Sequence, residues 1–316
     1  SVSRPGKRLR LRSVIKKMIE SKGLTKYFGD ICAVDHVDAT IKQGSAFGLL
    51  GTNGAGKSTF LRMMCGILRP NEGTILVDGA EVYENPPIKQ EIFYIADEQY
   101  FFPNTTPREQ GSFYAAYYPR FDKKIFNQLL HTFELGCERK VNTFSKGMKK
   151  QLSVFLALAA NTTYIICDET FDGLDPVIRQ AVKSLMADAM ASRGMTPIIA
   201  SHNLRELEDI CDHVGLLHKG GLLLSKELEE MKLSVHKLQV VFDHNKSEDD
   251  FPELDIISNK FSGRLQTMVI RGDEEQILQQ IQAANPIFIE MLPLSLEEVF
   301  ITETEVVGYE FPHLGL

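Results

Sequence analysis

A glycine-rich loop carries the clearest chemistry in this sequence of 316 residues. It reads Gly51-Thr52-Asn53-Gly54-Ala55-Gly56-Lys57-Ser58-Thr59. Small residues let successive backbone N–H groups face one concavity, and the start of a following helix adds positive potential, so the loop predicts a phosphate cradle. Lys57 would reach the β- and γ-phosphates, Ser58 would place its hydroxyl on Mg²⁺, and Thr59 would hold the α-phosphate end.

Two adjacent carboxylates follow a second apolar segment further along the chain. Tyr164 to Cys167 predicts a strand, and Asp168 and Glu169 come directly after it. Because the chain turns at a strand end, the two acids can serve different tasks. Asp168 would stabilise Mg²⁺ together with Ser58, and Glu169 would polarise an attacking water, an effect commonly worth about 10² to 10⁴ in rate.

The elements that must position these residues surround the glycine loop. The run Ala46 to Leu50 predicts a buried strand before it, and the spacing from Phe60 to Leu68 predicts a helix after it. Strand, glycine loop and helix in that order are the context that a P-loop requires. Further apolar runs at 92–95, 164–167 and 197–200 alternate with helical periodicity, which predicts a mainly parallel sheet between helices.

Two other segments complete the predicted nucleotide-binding unit. From Ile31 to Ile41 apolar and polar residues partly alternate, which predicts a half-buried pair of antiparallel strands. Residues 107–160 carry apolar positions at three- and four-residue spacing, so they are predicted to be wholly helical and to form an insertion into the sheet. Sheet, helical insertion and sheet in this order predict a two-lobed unit.

Beyond Leu233 the pattern changes to that of a small α+β appendage of roughly 80 residues. A helix is predicted near 274–284 and another from Leu296. The predicted strands lie at 238–242, 265–270 and 287–291.

Composition narrows the class of protein. Hydrophobic residues make up 43% and charged residues 24% of the chain, as in ordinary globular proteins. The longest unbroken apolar run, 154–160, is far shorter than the roughly 20 residues of a membrane-spanning helix. The five cysteines are widely spaced, which favours neither a disulfide framework nor a zinc site and indicates a reducing cytosol.

Residues 1–17 form a basic leader that carries seven basic side chains and no acid. The net charge of −7 therefore leaves −14 for the remaining residues, which predicts a poor nucleic-acid binder. The leader is interpreted as a solvated tail, and because Met18 would make a natural start, as an artificial extension. The alternative is attraction to an anionic membrane surface, at about 1 kcal/mol for each basic side chain near the lipid.

The most specific motif is Phe144-Ser145-Lys146-Gly147-Met148, at the head of a helix-like run to Ala160. With the P-loop and the acidic strand, it makes roughly residues 20–230 resemble the ATPase subunit of an ATP-binding-cassette (ABC) transporter, whose signature is L-S-G-G-Q. The resemblance implies that Ser145 and Gly147 grip the γ-phosphate of an ATP held by a second subunit, so that two chains enclose two ATP molecules. The N–H groups at a helix start suit that contact.

Three further segments match the family in chain order. Gly173-Leu174-Asp175 resembles the loop that crosses the dimer seam, which makes Asp175 a predicted nucleotide-site residue. Ser201-His202 ends a predicted strand as the family's switch histidine does, so His202 is expected within reach of the γ-phosphate. Near the start, Phe28, with Tyr27 as substitute, resembles the aromatic residue that stacks on adenine.

The sequence departs from the family pattern at three places. One is Thr170, which replaces the usual Pro after Glu169 and is expected to change local stiffness rather than chemistry. Lys146 and Met148 replace Gly and Gln of the signature, and similar runs occur in the family's two-component exporters. The family's loop Gln falls on Asp97, which can still accept from a metal-bound water. Asp97 therefore joins Ser58 and Asp168 in the predicted metal set.

An aromatic stripe lies in the predicted helical insertion, at Phe113, Tyr114, Tyr117 and Tyr118. Packing in the core of that lobe is the favoured interpretation. The alternative is a surface that receives a coupling helix from a membrane partner, because in the family this lobe makes that contact. Some of these rings could do both.

The predicted fold class is α/β: a P-loop NTPase with a mainly parallel sheet, an antiparallel β subdomain and a helical insertion, plus a small C-terminal α+β domain. Its predicted divisions are the leader at 1–17, an ABC ATPase domain at 18–233 with its helical subdomain at about 97–160, and an accessory domain at 234–316.

The resemblance implies a function as well as a fold. The expected protein binds ATP and Mg²⁺, hydrolyses ATP, and pairs with a copy of itself or with a second ABC subunit. It would drive export through separate integral-membrane permease chains, from a cytoplasmic position on the inner face of the cell membrane, with no nucleic-acid partner. The alternative is a soluble ABC ATPase that acts on ribosomes or chromosomes. Such proteins usually carry two cassettes or long coiled-coil insertions, and this sequence has neither.

Overall fold

The computed structural model describes residues 18–244, 246–295, 297–299 and 301. The predicted basic leader at 1–17 lies outside the described residues, as do Leu296 and Phe300 of the predicted last helix. Within the described part of the chain, no helix combines the length and the apolar composition needed to cross a membrane.

Fourteen strands are found in the described residues. They are β1 (Met18–Phe28), β2 (Ile31–Lys42), β3 (Phe47–Leu50), β4 (Glu72–Val77), β5 (Ala80–Glu81), β6 (Ile92–Ile95), β7 (Tyr164–Asp168), β8 (Thr196–Ser201), β9 (His213–His218), β10 (Gly221–Glu227), β11 (Val235–Val241), β12 (Asp255–Ser262), β13 (Leu265–Arg271) and β14 (Phe288–Leu292).

Nine α-helices connect the strands of the described residues. They are α1 (Lys57–Met64), α2 (Pro86–Lys89), α3 (Pro107–Tyr117), α4 (Lys123–Thr132), α5 (Lys146–Ala160), α6 (Pro176–Arg193), α7 (Leu204–Glu208), α8 (Leu228–Ser234) and α9 (Glu274–Ala283).

The central sheet has the order β10-β9-β3-β8-β7-β6, and its five strands from β9 to β6 run parallel. Strand β10 is antiparallel at the edge. The predicted mainly parallel sheet is thus confirmed. Because the carboxyl ends of β3, β7 and β8 lie at one edge, the residues that follow each strand are brought together there. This edge carries the P-loop, the paired acids and the histidine.

The antiparallel subdomain has the order β2-β1-β4-β5. The predicted strand pair within residues 31–41 is wrong, because that segment is a single strand, β2, whose partner is the preceding β1. The alternating pattern of 31–41 does reflect burial, since Val34, Val37 and Ile41 of β2 are buried. Strand β1 could not be predicted from the sequence because its hydrophobic residues do not alternate: it buries Ser21 and Thr25 and is interrupted by Gly23.

The helical insertion is more broken than predicted, although it begins and ends at the predicted residues. Residues 107–160 are not wholly helical, since α3, α4 and α5 are separated by loops at 118–122 and 133–145. Pro119 disfavours a helical conformation at the preceding residue, and Asp122 accepts from the N–H of Lys124 to cap α4. The predicted helix at 60–68 also ends early, at Met64, because Gly66 adopts φ +63°.

The last sheet is antiparallel, with the order β12-β13-β11-β14. With α9 it encloses its own core, which includes Leu238, Met268 and Ile277. Strand β12 was not predicted from the sequence. None of its eight residues is buried, so it lacks the alternation that reveals a half-buried strand.

Candidate functional site

The P-loop joins β3 to α1 in a path that only glycine can follow at two points. Gly56 has φ +104°, and a Cβ there would collide with the carbonyl oxygen of Ala33. A Cβ on Gly51 would lie 2.6 Å from the carbonyl oxygen of Leu217. Helix α1 starts at Lys57 without a side-chain cap, so its first N–H groups remain available for an anion.

Lys57 is nearly buried, and its ammonium lies within the site. It donates to the carbonyl oxygen of Gly51 at 2.6 Å and forms an ion pair with Glu169, whose Oε1 is 3.1 Å from Nζ. The predicted phosphate lysine and the predicted water-activating acid are therefore in direct contact. Phosphate oxygens would compete with Glu169 for the same ammonium.

Glu169 occupies a constrained position at the end of β7. Its backbone is left-handed, with φ +47°, and its N–H donates to the carbonyl oxygen of Ala200 at 3.1 Å. A residue other than glycine is held in this conformation only when its surroundings fix it. Its Oε2 lies 3.0 Å from Nδ1 of His202, and Asp172 lies 3.7 Å from the same nitrogen.

The predicted metal pair is in contact. The Ser58 hydroxyl donates to Oδ1 of Asp168 at 3.0 Å. Burial raises the pKa of Asp168, whereas hydrogen bonds from Ser58 and Tyr94 oppose that rise. Oxygen donors of this kind are the ligands that Mg²⁺ prefers, so the hydroxyl and carboxylate fit the ion.

Tyr94 belongs to this site and was missed in the sequence. Its hydroxyl donates to Oδ2 of Asp168 at 3.0 Å. Burial raises the pKa of Tyr94, so the phenol remains a proton donor. Tyr94 looked like one more apolar residue of the run 92–95, although a largely buried phenol normally requires a partner for its hydroxyl.

Asp97 has a different partner from the one predicted. Its Oδ1 lies 3.2 Å from the ammonium of Lys150, whose side chain is fully buried in α5. The amide of Gln99 donates to the carbonyl oxygen of Asp97 at 2.9 Å. The metal role of Asp97 remains a prediction. The role of Lys150 could not be predicted from the sequence, because a cation in a helix usually faces solvent.

The signature segment forms the start of α5. Ser145 is the N-cap, and its Oγ accepts from the N–H of Met148 at 3.2 Å. A Cβ on Gly147 would lie 2.9 Å from the carbonyl oxygen of Gly173, so the helix start packs closely against the predicted seam loop. In that loop Asp175 caps α6 by accepting from the N–H of Val177 at 2.9 Å.

The remaining predicted residues surround the loop or stand apart from it. Thr52 and Ala55 shape the P-loop, since the N–H of Ala55 donates to the carbonyl oxygen of Thr52 at 3.1 Å. Phe28 exposes 48% of its surface at the end of β1, with the Lys26 ammonium 5.5 Å from its ring centre. Its neighbour Tyr27 is also exposed. Both rings are exposed and therefore accessible to a base.

The chain is similar in sequence to known ATP-binding proteins. The family model described as "ABC transporter" matches residues 34–172. The ABC transporter ATP-binding protein YtrB of Bacillus subtilis is 35% identical over 90% of this chain and 98% of its own length. The bacitracin transport ATP-binding protein BcrA of Bacillus licheniformis is 35% identical over 68% of this chain and 71% of its own.

A solved structure shares the fold of the nucleotide-binding part. It is a dimeric ATP-binding cassette in a post-hydrolysis state, bound to ADP and Pi. It is 22% identical to this chain, with a TM-score of 0.61, and the alignment covers 66% of this chain and 98% of that one.

Proposed function

Because this chain belongs to the ABC transporter family of ATP-binding, ATP-hydrolysing subunits, we propose that it closes on Mg-ATP as a dimer and drives export through separate membrane permease chains. The second subunit would be another copy of this chain or a related ABC subunit. The observation that carries the proposal is the convergence of Lys57, Glu169 and His202 at one sheet edge.

ATP would lie with its phosphates in the P-loop and its base against Phe28 or Tyr27. Gly51 and Gly56 let the loop pass close to Leu217 and Ala33, and Gly54 has open space beside it. Asn53 lies within the loop, and Thr59 lies in the first turn of α1, where it would hold the α-phosphate end. The γ-phosphate would draw the Lys57 ammonium away from Glu169. Substrate binding would then release the carboxylate for its task.

Hydrolysis would use the released Glu169 to polarise the attacking water. His202 already lies 3.0 Å from that carboxylate, so its ring is placed to contact the same γ-phosphate. Ser58 and Asp168 would hold Mg²⁺, which when bound neutralises charge on the phosphates. The constrained backbone of Glu169 keeps its carboxylate at a fixed place relative to both groups.

The partner subunit would supply the second half of each site. Ser145 and Gly147 stand at the start of α5, where N–H groups and the helix dipole favour a phosphate. Gly147 packs against Gly173, so the signature segment and the seam loop with Asp175 are joined within each chain. A cassette of the same fold has been seen as a dimer with ADP and Pi, which supports this arrangement.

Transport would follow from contact with membrane permease chains. BcrA is named for bacitracin transport, and another relative, YbhF of Escherichia coli, is named a probable multidrug ABC transporter protein. These names support a role in transport, and we infer export and a position on the inner face of the cell membrane. The exposed rings of the helical insertion offer an apolar surface for the permease.

The test is Glu169→Gln, which keeps the size of the side chain and removes the charge. Hydrolysis of Mg-ATP should fall by about 10² to 10⁴, the usual contribution of a general base, while ATP binding is retained. The variant should accumulate as a dimer with Mg-ATP, measured by light scattering after size-exclusion chromatography.

The matched control is Glu253→Gln, an exposed acid of the C-terminal unit that accepts from Gln280 at 3.0 Å. It should hydrolyse and dimerise like the original chain. Normal turnover by Glu169→Gln would remove Glu169 from its proposed role. A monomer with Mg-ATP bound would refute the shared site.

A further inference from the structure

We propose that Lys150 is a positioning residue for the water-activating Glu169, and that Asp97 serves as the counter-ion of Lys150 rather than as a metal ligand. The inference rests on the proposed function of Glu169. It concerns a residue whose ammonium contacts Asp97 and the backbone of Glu169, and which acts through that backbone.

Lys150 is unusual because its ammonium is enclosed within the protein. Its side chain is 0% exposed, and it lies in the second turn of α5. The ammonium donates to the backbone carbonyl oxygen of Glu169 and lies 3.2 Å from Oδ1 of Asp97. It therefore connects three segments: the signature helix, the end of β7 and the loop after β6.

A buried ammonium requires compensation for its lost hydration. A carbonyl oxygen satisfies one N–H but does not neutralise the charge, whereas the Asp97 carboxylate does both. Asp97 is half-exposed, and its carboxylate faces Lys150. A carboxylate held by this ammonium is less available to a metal ion, and the two positive charges would repel each other.

The contact fixes the backbone from which the catalytic carboxylate projects. Glu169 has φ +47°, and its N–H is held by the carbonyl oxygen of Ala200 at 3.1 Å. Lys150 holds the other polar group of that residue's backbone, its carbonyl oxygen. With both groups held, the side chain can contact Lys57 and His202 from a single backbone orientation.

The same helix also carries the contact proposed to reach the partner's ATP. Ser145 caps α5, and Lys150 follows within the next turns. A shift of α5 that moved Ser145 would also move the ammonium that holds Glu169. Lys150 thus gives the chain a direct mechanical link between the signature segment and its own water-activating residue.

The experiment compares Lys150→Met, which keeps the stem and removes the charge, with Asp97→Asn and Asp97→Glu. For Lys150→Met we expect kcat for Mg-ATP to fall by about 10- to 100-fold, because small displacements of a catalytic group cost this much. The KM for ATP should not change. The dissociation constant of Mg²⁺ for the ADP complex, measured by calorimetry, should not change either. Asp97→Asn should behave in the same way, and Asp97→Glu should retain more activity.

The matched control is Lys183→Met, which breaks a similar pair elsewhere in the chain. Lys183 is 7% exposed and its ammonium lies 2.8 Å from Oδ2 of the exposed Asp209. Lys183→Met should lower thermal stability, as we expect for Lys150→Met, but its kcat should stay close to that of the original chain. If Lys150 has only a structural role, Lys150→Met and Lys183→Met should have equal kcat. That result would overturn the inference.

Other outcomes are also decisive. Weaker Mg²⁺ binding in Asp97→Asn alone would make Asp97 a metal ligand and overturn its role as counter-ion. If Lys150→Met does not fold, the half-exposed Asp97 still provides the test, since kcat of Asp97→Asn equal to that of Asp97→Glu would refute the pairing. Failure of the original chain to hydrolyse Mg-ATP would instead refute the proposed function itself.

Discussion

The carboxyl group of Asp168 shows how burial and hydrogen bonding oppose each other at a metal site. Burial raises its pKa, while donation from Ser58 and Tyr94 opposes the rise. Because its pKa in the folded protein exceeds the ordinary value, folding favours its protonated form. The stability contributed by Asp168 is therefore present below the ordinary pKa and is lost as pH rises through the raised one. Mg²⁺ requires the opposite, ionised form.

Tyr94→Phe tests this balance. Removing the hydroxyl removes a donor to the ionised carboxylate, so the pKa of Asp168 should rise further and Mg²⁺ binding should require a higher pH. A hydrogen bond to a charged group is worth about 1.5 to 3 kcal/mol, so Mg²⁺ affinity at acidic pH should fall about tenfold or more. Calorimetric titration of Mg²⁺ into the ADP complex, from acidic to neutral pH, measures the midpoint.

Tyr118→Phe is the control for that experiment, because it removes a tyrosine hydroxyl that donates to the carbonyl oxygen of Ile92 at 3.1 Å. Its Mg²⁺ midpoint should match that of the original chain. An unshifted midpoint in Tyr94→Phe would refute the role of the Tyr94 hydroxyl in setting the pKa of Asp168.

At single residues, the sequence predicts chemistry that local spacing encodes. Lys57, Ser58 and Asp168 could be predicted to lie at one site because each stands at a fixed place at or after the end of a strand. Lys150 and Tyr94 could not, because their roles depend on the direction of a side chain inside packed elements. A lysine in a helix and a tyrosine in an apolar run are most often a solvated charge and a core ring.

The start of α5 combines a structural and a proposed functional task in one side chain. Ser145 accepts from the N–H of Met148 and so completes the helix end. The same hydroxyl is proposed to contact a phosphate of the partner's ATP. Replacement by alanine would remove both at once and leave the two tasks inseparable.

Ser145→Asp separates these tasks. Aspartate is as good an N-cap as serine, so the melting temperature of Ser145→Asp should be nearly unchanged. Replacement by alanine should instead lower the free energy of unfolding by about 1 kcal/mol. The added negative charge would face the phosphate across the dimer. In the Glu169→Gln background, Ser145→Asp should therefore abolish the dimer that forms with Mg-ATP, measured by light scattering.

The capping measurement serves as the internal control for Ser145→Asp. A marked fall in melting temperature would show that aspartate fails as a cap, and loss of the dimer would then follow from local unfolding. Full dimerisation with an intact fold would place the Ser145 hydroxyl away from the phosphate.

At the scale of elements, the sequence predicts those strands and helices whose burial produces a regular pattern of apolar residues. The strands β6, β7 and β8 were correctly placed because both faces of the central sheet are covered and their residues are continuously apolar. Strand β12 has no buried residue, and β1 buries polar side chains, so neither has a readable pattern. Tertiary pairing, rather than local sequence, makes these two segments strands.

Across the whole molecule, the aromatic stripe of α3 divides between core and surface. Tyr114 and Tyr118 pack against the core and contact the Phe93 ring at 5.3 and 5.2 Å between centres. Phe113 is partly exposed, and Tyr117 is 58% exposed. The favoured prediction of core packing therefore holds for two of the four rings.

The outward rings belong to a larger aromatic surface, which we define as Tyr100, Phe102, Phe113 and Tyr117. Their ring centres lie 6.0, 4.6 and 4.8 Å apart in that order. Exposed aromatic side chains in contact with each other mark a docking surface more often than isolated ones do.

Tyr117→Arg tests this surface as the place where the permease binds. A buried aromatic anchor contributes about 2 kcal/mol or more, so its loss should weaken the complex about 30-fold. Co-purification in detergent with a candidate multi-span permease chain measures the effect, and ATP hydrolysis by the isolated chain should be unchanged. Phe261→Arg, at a 50% exposed ring of β12, is the control and should bind the permease normally. If Tyr117→Arg still binds the permease and Phe261→Arg does not, the docking surface lies on the C-terminal sheet instead.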